Sequence, residues 1–160
     1  MAGHALLSPS SAFRWLLCPA SVAYTKDMPE ETSEYAEEGS RAHHWAERYA
    51  RAVFDPLAAG LDEEPDTEEM GKGAALYAHE IERVLKGFKF PPDFWATEVT
   101  LDIGDITREK GAQGTADCVF LCSDHLYVFD YKYGKGVQIE AEGNCQLAIY
   151  ALAAMDMLAA

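Results

Sequence analysis

The sequence predicts an α/β sandwich in which helices flank a mixed central sheet. Two long amphipathic stretches fill the first half of the chain. A block of strand-like segments rich in aromatic and β-branched residues follows, and an apolar helical segment comes last. Helices grouped around a run of neighbouring strands give this layered class.

The elements follow in order. Ser8-Pro9-Ser10-Ser11 supplies capping residues and a proline suited to a first helical turn, so a short helix through Phe13–Leu17 is expected. It stops at Cys18-Pro19, because a residue before proline avoids helical geometry. A longer helix is expected over Ser33–Phe54, with Glu34, Glu37 and Glu38 in the early turns, where acids suit the positive helix end. Gly39 interrupts it at a cost of about 1 kcal/mol relative to alanine, which hints at close backbone packing or a ligand. Asp55–Pro65 reads as a polar linker. Asp66-Thr67-Glu68-Glu69 then fits a capping box with Asp66 as N-cap. Met70, Ala74, Tyr77, Ile81, Val84 and Phe88 line one helical face, and Gly87 with Pro91-Pro92 ends that helix.

Strands are expected over Phe94–Ile103, Thr115–Cys122 and His125–Tyr133, with Ser123-Asp124 as a tight hairpin turn between the last two. Those two are apolar on both faces, which suits a covered, central position. Glu140–Leu158 reads as the final helix.

Bulk properties narrow the function classes. The 160 residues suffice for one domain with a real core, and 49% hydrophobic with 25% charged residues is ordinary for a soluble globular protein. No apolar run approaches a membrane span, and Met1–Leu7 lacks the basic start and apolar stretch of a signal peptide. A cytoplasmic protein with no membrane partner is the expectation. The formal net charge of −14 counts against nucleic-acid binding through lysine and arginine. Much of the excess is local: Asp55–Glu69 holds seven acids and no base. Bound divalent cations would offset carboxylates at a site.

Cys18, Cys118, Cys122 and Cys145 form no disulfide framework. Cys118 and Cys122 on one strand stand roughly 13 Å apart, too far to share one zinc, so they read as buried thiols.

The chemistry concentrates at Asp117, Asp130 and Lys132. Side chains alternate along a strand, so Asp130 and Lys132 share a face and Tyr131 points away. A two-residue turn sets Cys122 opposite His125 and Phe120 opposite Tyr127, which brings Asp117 near Asp130. Two carboxylates can hold Mg²⁺, and a lysine beside them can stabilise developing negative charge. The residues alone leave a second reading open: a buried ion pair on a sheet, which is expensive to bury. Gln146 and Tyr150 share a helical face, and by themselves read as a surface amide and a tyrosine at the core edge. His43 shares a face with Gly39 and Glu47 and offers a neutral imidazole ligand, although a lone helical histidine is usually not a ligand.

Gly114-Thr115-Ala116-Asp117, Asp130-Tyr131-Lys132 and Gln146-Leu147-Ala148-Ile149-Tyr150, preceded by Gly39 and His43, resemble the RecB-type branch of the PD-(D/E)XK nucleases. That branch carries G-x-x-D, D-x-K and Q-x-x-x-Y in this order, often with an upstream G-x-x-x-H. Arg14-Trp15-Leu16-Leu17-Cys18-Pro19 is similar to phage-encoded relatives of the CRISPR adaptation nucleases. The resemblance implies a restriction-endonuclease-like fold over residues 1–160, with an N-terminal helical part (8–90) and a catalytic sheet and helix (94–158).

It further implies a Mg²⁺- or Mn²⁺-dependent deoxyribonuclease, an exonuclease by family habit, acting on DNA alongside phage recombination proteins. Asp117, Asp130 and His43 would be metal ligands, the backbone carbonyl of Tyr131 would complete the shell, and Lys132 would be the catalytic lysine. Gln146 and Tyr150 would position the site or the strand. Glu98 stands where many members carry an acid and is assigned to the same positioning role.

The chain departs from the pattern twice. The three cysteines that follow the Q-x-x-x-Y helix in cluster-bearing relatives are missing, so no iron–sulfur cluster is expected. The strand that normally follows this helix is also missing, which leaves a fragment, a naturally short form, or a sheet completed by a partner; oligomerisation stays open. The rival reading is a catalytically silent nuclease-fold protein that binds a protein partner or imitates DNA through its acidic surface.

Overall fold

The structure, a computed structural model, describes residues 5–28, 33–57, 63–134 and 138–160. After a single 3-10 turn at Pro9–Ser11, the elements are α1 (Ala12–Leu17), α2 (Ala20–Thr25), α3 (Glu34–Phe54), α4 (Glu68–Leu85), β1 (Phe94–Asp102), α5 (Gly104–Thr107), β2 (Gln113–Cys122), β3 (His125–Phe129) and α6 (Cys145–Ala159). The architecture is mixed α/β. Its sheet has three strands in the order β1-β2-β3 and is antiparallel, not mixed as the sequence suggested. A mixed sheet needs a strand that returns by a crossover, and the described residues supply none beyond these three.

The chain packs as two compact units: Met1–Glu31 with Val99–Ala116 and Val137–Ala160, and Thr32–Glu98 with Asp117–Gly136. This division passes through β1 and β2. No helix of the described residues is long and apolar enough to cross a membrane.

The second unit is built on α3 and α4. Ser33 caps α3 by accepting from Ala36 N at 3.2 Å, with Glu34 and Glu37 in the first turn and Arg51 in the last, as the helix dipole favours. Ala42, Ala46 and Ala50 are buried at four-residue spacing, so α3 presents a small-residue stripe to its neighbours. Met70, Ala74, Tyr77 and Ile81 form the buried face of α4. Thr67, not Asp66, caps α4, accepting from Met70 N at 3.2 Å. Asp66 instead accepts from Trp45 Nε1 at 3.2 Å and pairs with Arg41 at 2.9 Å, tying the start of α4 to α3. Cys118, Phe120 and Cys122, alternate residues of β2, complete this core together with Tyr131.

β2 and β3 pair in the expected register, with Cys122 opposite His125 and Phe120 opposite Tyr127. Ser123 takes the left-handed conformation that the two-residue turn requires (φ 57°), and its N–H donates to Asp93 Oδ2 at 2.8 Å. β3 is shorter than expected: it stops at Phe129, opposite Cys118, rather than running to Tyr133. The next pair in register would set Asp117 against Asp130, and like charges directly opposite each other destabilise a ladder.

In the first unit, Trp15 Nε1 donates to Ser8 O at 2.9 Å and fixes α1 on the preceding turn. α6 begins at Cys145 rather than Glu140, because Gly143 is left-handed (φ 69°) and Asn144 caps the helix, accepting from Leu147 N at 3.1 Å. The short helices α2 and α5 were not expected. Residues 58–62 of the expected Asp55–Pro65 linker lie outside the described residues.

Candidate metal centre

Every member of the candidate centre belongs to the second unit. His43 comes from α3, Glu98 from β1 and Asp117 from β2, while Asp130, Tyr131 and Lys132 follow β3. One ligand atom each from His43, Glu98 and Asp117 can be chosen so that all lie within 4.8 Å of one another.

Asp117 is the hub. Its side chain is 14% exposed, and both oxygens are engaged: Oδ2 accepts from the Tyr131 backbone N–H at 2.6 Å, and Oδ1 faces His43 Nδ1 at 3.5 Å. Tyr131 serves twice, because its ring also packs edge-on against the His43 imidazole, with centroids 5.3 Å apart. The resemblance implied a role for the Tyr131 carbonyl; the contact the structure provides is made by its N–H. That N–H is free to reach Asp117 because the chain has left the ladder at Phe129.

The close approach of α4 to Tyr131 depends on Gly73. A Cβ there would stand 2.3 Å from the Tyr131 hydroxyl oxygen and 3.5 Å from Cζ. That hydroxyl is buried and has no hydrogen-bond partner among the described residues. Gly39 behaves oppositely: a Cβ there would meet nothing within 4 Å, so the glycine does not mark the close approach that the sequence suggested.

Glu98 takes φ 48° within β1, a left-handed conformation that is costly for a side-chain-bearing residue in a strand. Such an interruption re-aims a side chain relative to the pleat, and here the carboxylate joins His43 and Asp117. Sequence reasoning gave Glu98 only a positioning role. The available signal was a single acid set between Thr97 and Val99 in an otherwise apolar and β-branched segment.

Asp130 does not belong to the three-residue cluster. Its side chain is 10% exposed and forms an ion pair with Lys132, so the aspartate–lysine pairing read from the sequence is present without a strand to hold it.

The electrostatics share one sense. Loss of hydration, with the charges of Asp117 and Glu47, raises Glu98 to about 7, although the residue remains exposed and His43 opposes the shift. The hydrogen bond to Asp117 raises His43 above its ordinary value against the effect of burial, helped by the charges of Asp117, Glu98 and Asp130. Burial raises Asp130, with the Asp117 charge adding to it, although Lys132 pulls the other way. Burial is the leading cause for Glu98 and Asp130 and the Asp117 hydrogen bond for His43, and at all three the neighbouring carboxylates add an excess of negative charge.

A cation would relieve that excess, and the donors suit one. Two ligands on opposite sides of an octahedral Mg²⁺ stand about 4.2 Å apart, close to the spread of this cluster. Two carboxylates favour Mg²⁺ or Mn²⁺, and the imidazole shifts the balance towards Mn²⁺. The cysteines are not part of the cluster. Cys118 and Cys122 are buried free thiols, and burial together with the Asp117 charge pushes Cys118 up to about 12.

Gln146 and Tyr150 belong to the first unit. Tyr150 is buried, and its ring lies 2.9 Å from where a Gly114 Cβ would be, with Pro9 equally close. Gly114 and Tyr150, two positions of the sequence patterns, are therefore joined by packing.

Fold and site together define a small α/β protein with an imidazole–carboxylate cluster beside an aspartate–lysine pair. The chain belongs to the DUF2800 family, described as a protein of unknown function, whose model matches residues 4–160. No solved structure matches it.

Proposed function

We propose that this chain is a metal-dependent nuclease of the PD-(D/E)XK type, built as a single nuclease-like domain, that hydrolyses DNA phosphodiester bonds. The observation that carries this reading is the convergence of His43, Glu98 and Asp117 within 4.8 Å. The Asp130–Lys132 pair supports it, and so does the order of the sequence patterns around these residues.

His43, Glu98 and Asp117 would hold a Mg²⁺ or Mn²⁺ ion, with Asp130 as a further carboxylate at the site. When bound, the ion supplies Lewis-acid polarisation of a phosphoryl oxygen and a lowered pKa for a coordinated water. The protein's own groups do the rest. The Tyr131 N–H fixes the Asp117 carboxylate, and the Tyr131 ring limits rotation of the His43 imidazole. Lys132, oriented by Asp130, brings an ammonium to stabilise the negative charge that develops on the phosphoryl group. Exonucleolytic action in phage recombination or DNA processing is the family-based form of this proposal.

The test is cleavage of end-labelled single- and double-stranded DNA with Mn²⁺ or Mg²⁺, using wild type, Asp117→Ala and Lys132→Ala. Cleavage by wild type alone supports the assignment, and equal cleavage by all three removes it. The net charge of −14 favours a second reading, an acidic-surface binder without activity. Wild type that neither takes up metal nor cleaves DNA, yet binds a protein partner, would favour that binder.

A further inference from the structure

Two further carboxylates stand beside the three clustered groups, and each is paired with a base of the chain. Asp130 is paired with Lys132, and Glu47 with Arg51. His43, Glu47 and Arg51 follow one another at four-residue spacing, so they share one face of α3. Arg51 Nη2 also donates to Thr97 Oγ1 at 3.5 Å, and Thr97 is the residue before Glu98 on β1. The guanidinium therefore links the helix that supplies His43 to the strand that supplies Glu98.

Glu47 is near the centre without joining it. Its charge acts on Glu98, alongside that of Asp117. Yet the donors that gather within 4.8 Å are those of His43, Glu98 and Asp117. The Arg51 pair accounts for this, because a carboxylate held by a guanidinium is not offered to a metal. Arginine keeps its charge at every working pH. Both partners are partly buried, where salt screens a pair less than at the open surface.

The charges around the cluster then suit a single ion. Glu47 and Asp130 are each matched by their own base, and a ligating imidazole is neutral. Glu98 and Asp117 leave two negative charges, which one divalent cation neutralises. A second ion would stand about 3.5–4 Å from the first and would need another carboxylate. Glu47, whose charge already reaches Glu98, is the candidate, and there the ion would meet the Arg51 guanidinium, a like charge.

We infer that Arg51 is a positioning residue that withholds Glu47 from the centre and thereby fixes it at one divalent cation. The inference rests on the metal centre of the nuclease reading and deepens it by naming the residue that sets the number of ions.

The experiment titrates the EDTA-stripped full chain with Mn²⁺ by calorimetry and records the electron paramagnetic resonance spectrum of the loaded samples. Arg51→Gln removes the charge, Arg51→Lys keeps it, and a Glu47→Gln, Arg51→Gln double variant removes both partners. The expected result is one Mn²⁺ per chain in wild type, with the spectrum of an isolated ion. Arg51→Gln should take up a second ion and show the spin coupling of two neighbouring ions. Arg51→Lys should stay at one, and the double variant should return to one. Arg51→Met, which keeps the unbranched stem, is read in the same way as Arg51→Gln, so either one that melts like wild type decides. Two ions in wild type, a single ion in such a variant, or a second ion that persists in the double variant would overturn the role of Arg51. Cleavage of end-labelled DNA by the same samples separates the two proposals. Cleavage by wild type with a single ion in Arg51→Gln keeps the nuclease and removes the inference. A change from one ion to two without cleavage by any sample keeps the inference and removes the nuclease, and wild type that takes up no Mn²⁺ removes both.

Discussion

Tyr131 donates its backbone N–H to Asp117 Oδ2 at 2.6 Å, at the point where β3 has stopped pairing with β2. A main-chain amide thus holds the central carboxylate of the candidate metal centre, and the placement of Tyr131 decides whether Asp117 stays aimed at His43 and Glu98.

Gly73 is predicted to guard that placement. Gly73→Ala drives a methyl into the Tyr131 hydroxyl, and overpacking of this kind costs about 1–3 kcal/mol. The expected readouts are a melting temperature lower by several degrees and weaker Mn²⁺ binding. Tyr131→Phe removes a hydroxyl that has no hydrogen-bond partner among the described residues, so alone it is close to neutral. In the double variant it restores most of the loss, because the next ring atom stands at an ordinary 3.5 Å. Additive losses in a double-mutant melting cycle would contradict this contact.

Gly39→Ala is the contrasting case. The new methyl meets open space, and alanine propagates a helix better than glycine by about 1 kcal/mol. Denaturant melts are expected to show a more stable protein with metal binding unchanged.

The raised carboxyl of Glu98 sets a pH dependence. Its ordinary value is 4.5 and its folded value about 7. Between those two, the folded metal-free protein holds a proton that the unfolded chain has released. Stability therefore falls as pH rises through this window, and the whole penalty is present above it. His43 and Asp130, also raised, push in the same direction. In EDTA, Glu98→Gln should melt above wild type at pH 8 and converge with it near pH 4. With Mn²⁺, which competes with the protons, the order at pH 8 should reverse. Thermal melts across the pH range check both.

Lys132→Ala should separate chemistry from metal binding. Removing a cation beside Asp130 leaves the cluster at least as attractive to Mn²⁺, while losing one charge-stabilising donor lowers kcat about 10²–10³-fold. Parallel loss of metal affinity and rate would mean that Lys132 holds the fold instead.

Much of this architecture was legible in the sequence because local rules agreed. Ser33 and the early glutamates mark the start of α3, and a two-residue turn fixes the β2–β3 register. The misreadings arose where a few atoms override periodicity. An Asp117–Asp130 confrontation ends β3 early, a left-handed Gly143 with Asn144 delays α6, and Thr67 takes the cap from an Asp66 drawn to Arg41 and Trp45. At the site, the same-face placement of Asp130 and Lys132 and the approach of Asp117 to Asp130 were readable from strand alternation and the hairpin turn. The convergence of Glu98 with His43 and Asp117 was not, because it involves one left-handed residue inside a strand, which regular alternation does not anticipate.

The central claim is that His43, Glu98 and Asp117 form a divalent-cation site, and calorimetric titration of the EDTA-stripped full chain with Mn²⁺ tests it most directly. The account predicts saturable uptake, tighter for Mn²⁺ than for Mg²⁺, that is abolished in Asp117→Ala and strongly weakened in Glu98→Gln and His43→Ala. Absence of uptake by wild type, or uptake that these variants leave unchanged, would contradict it.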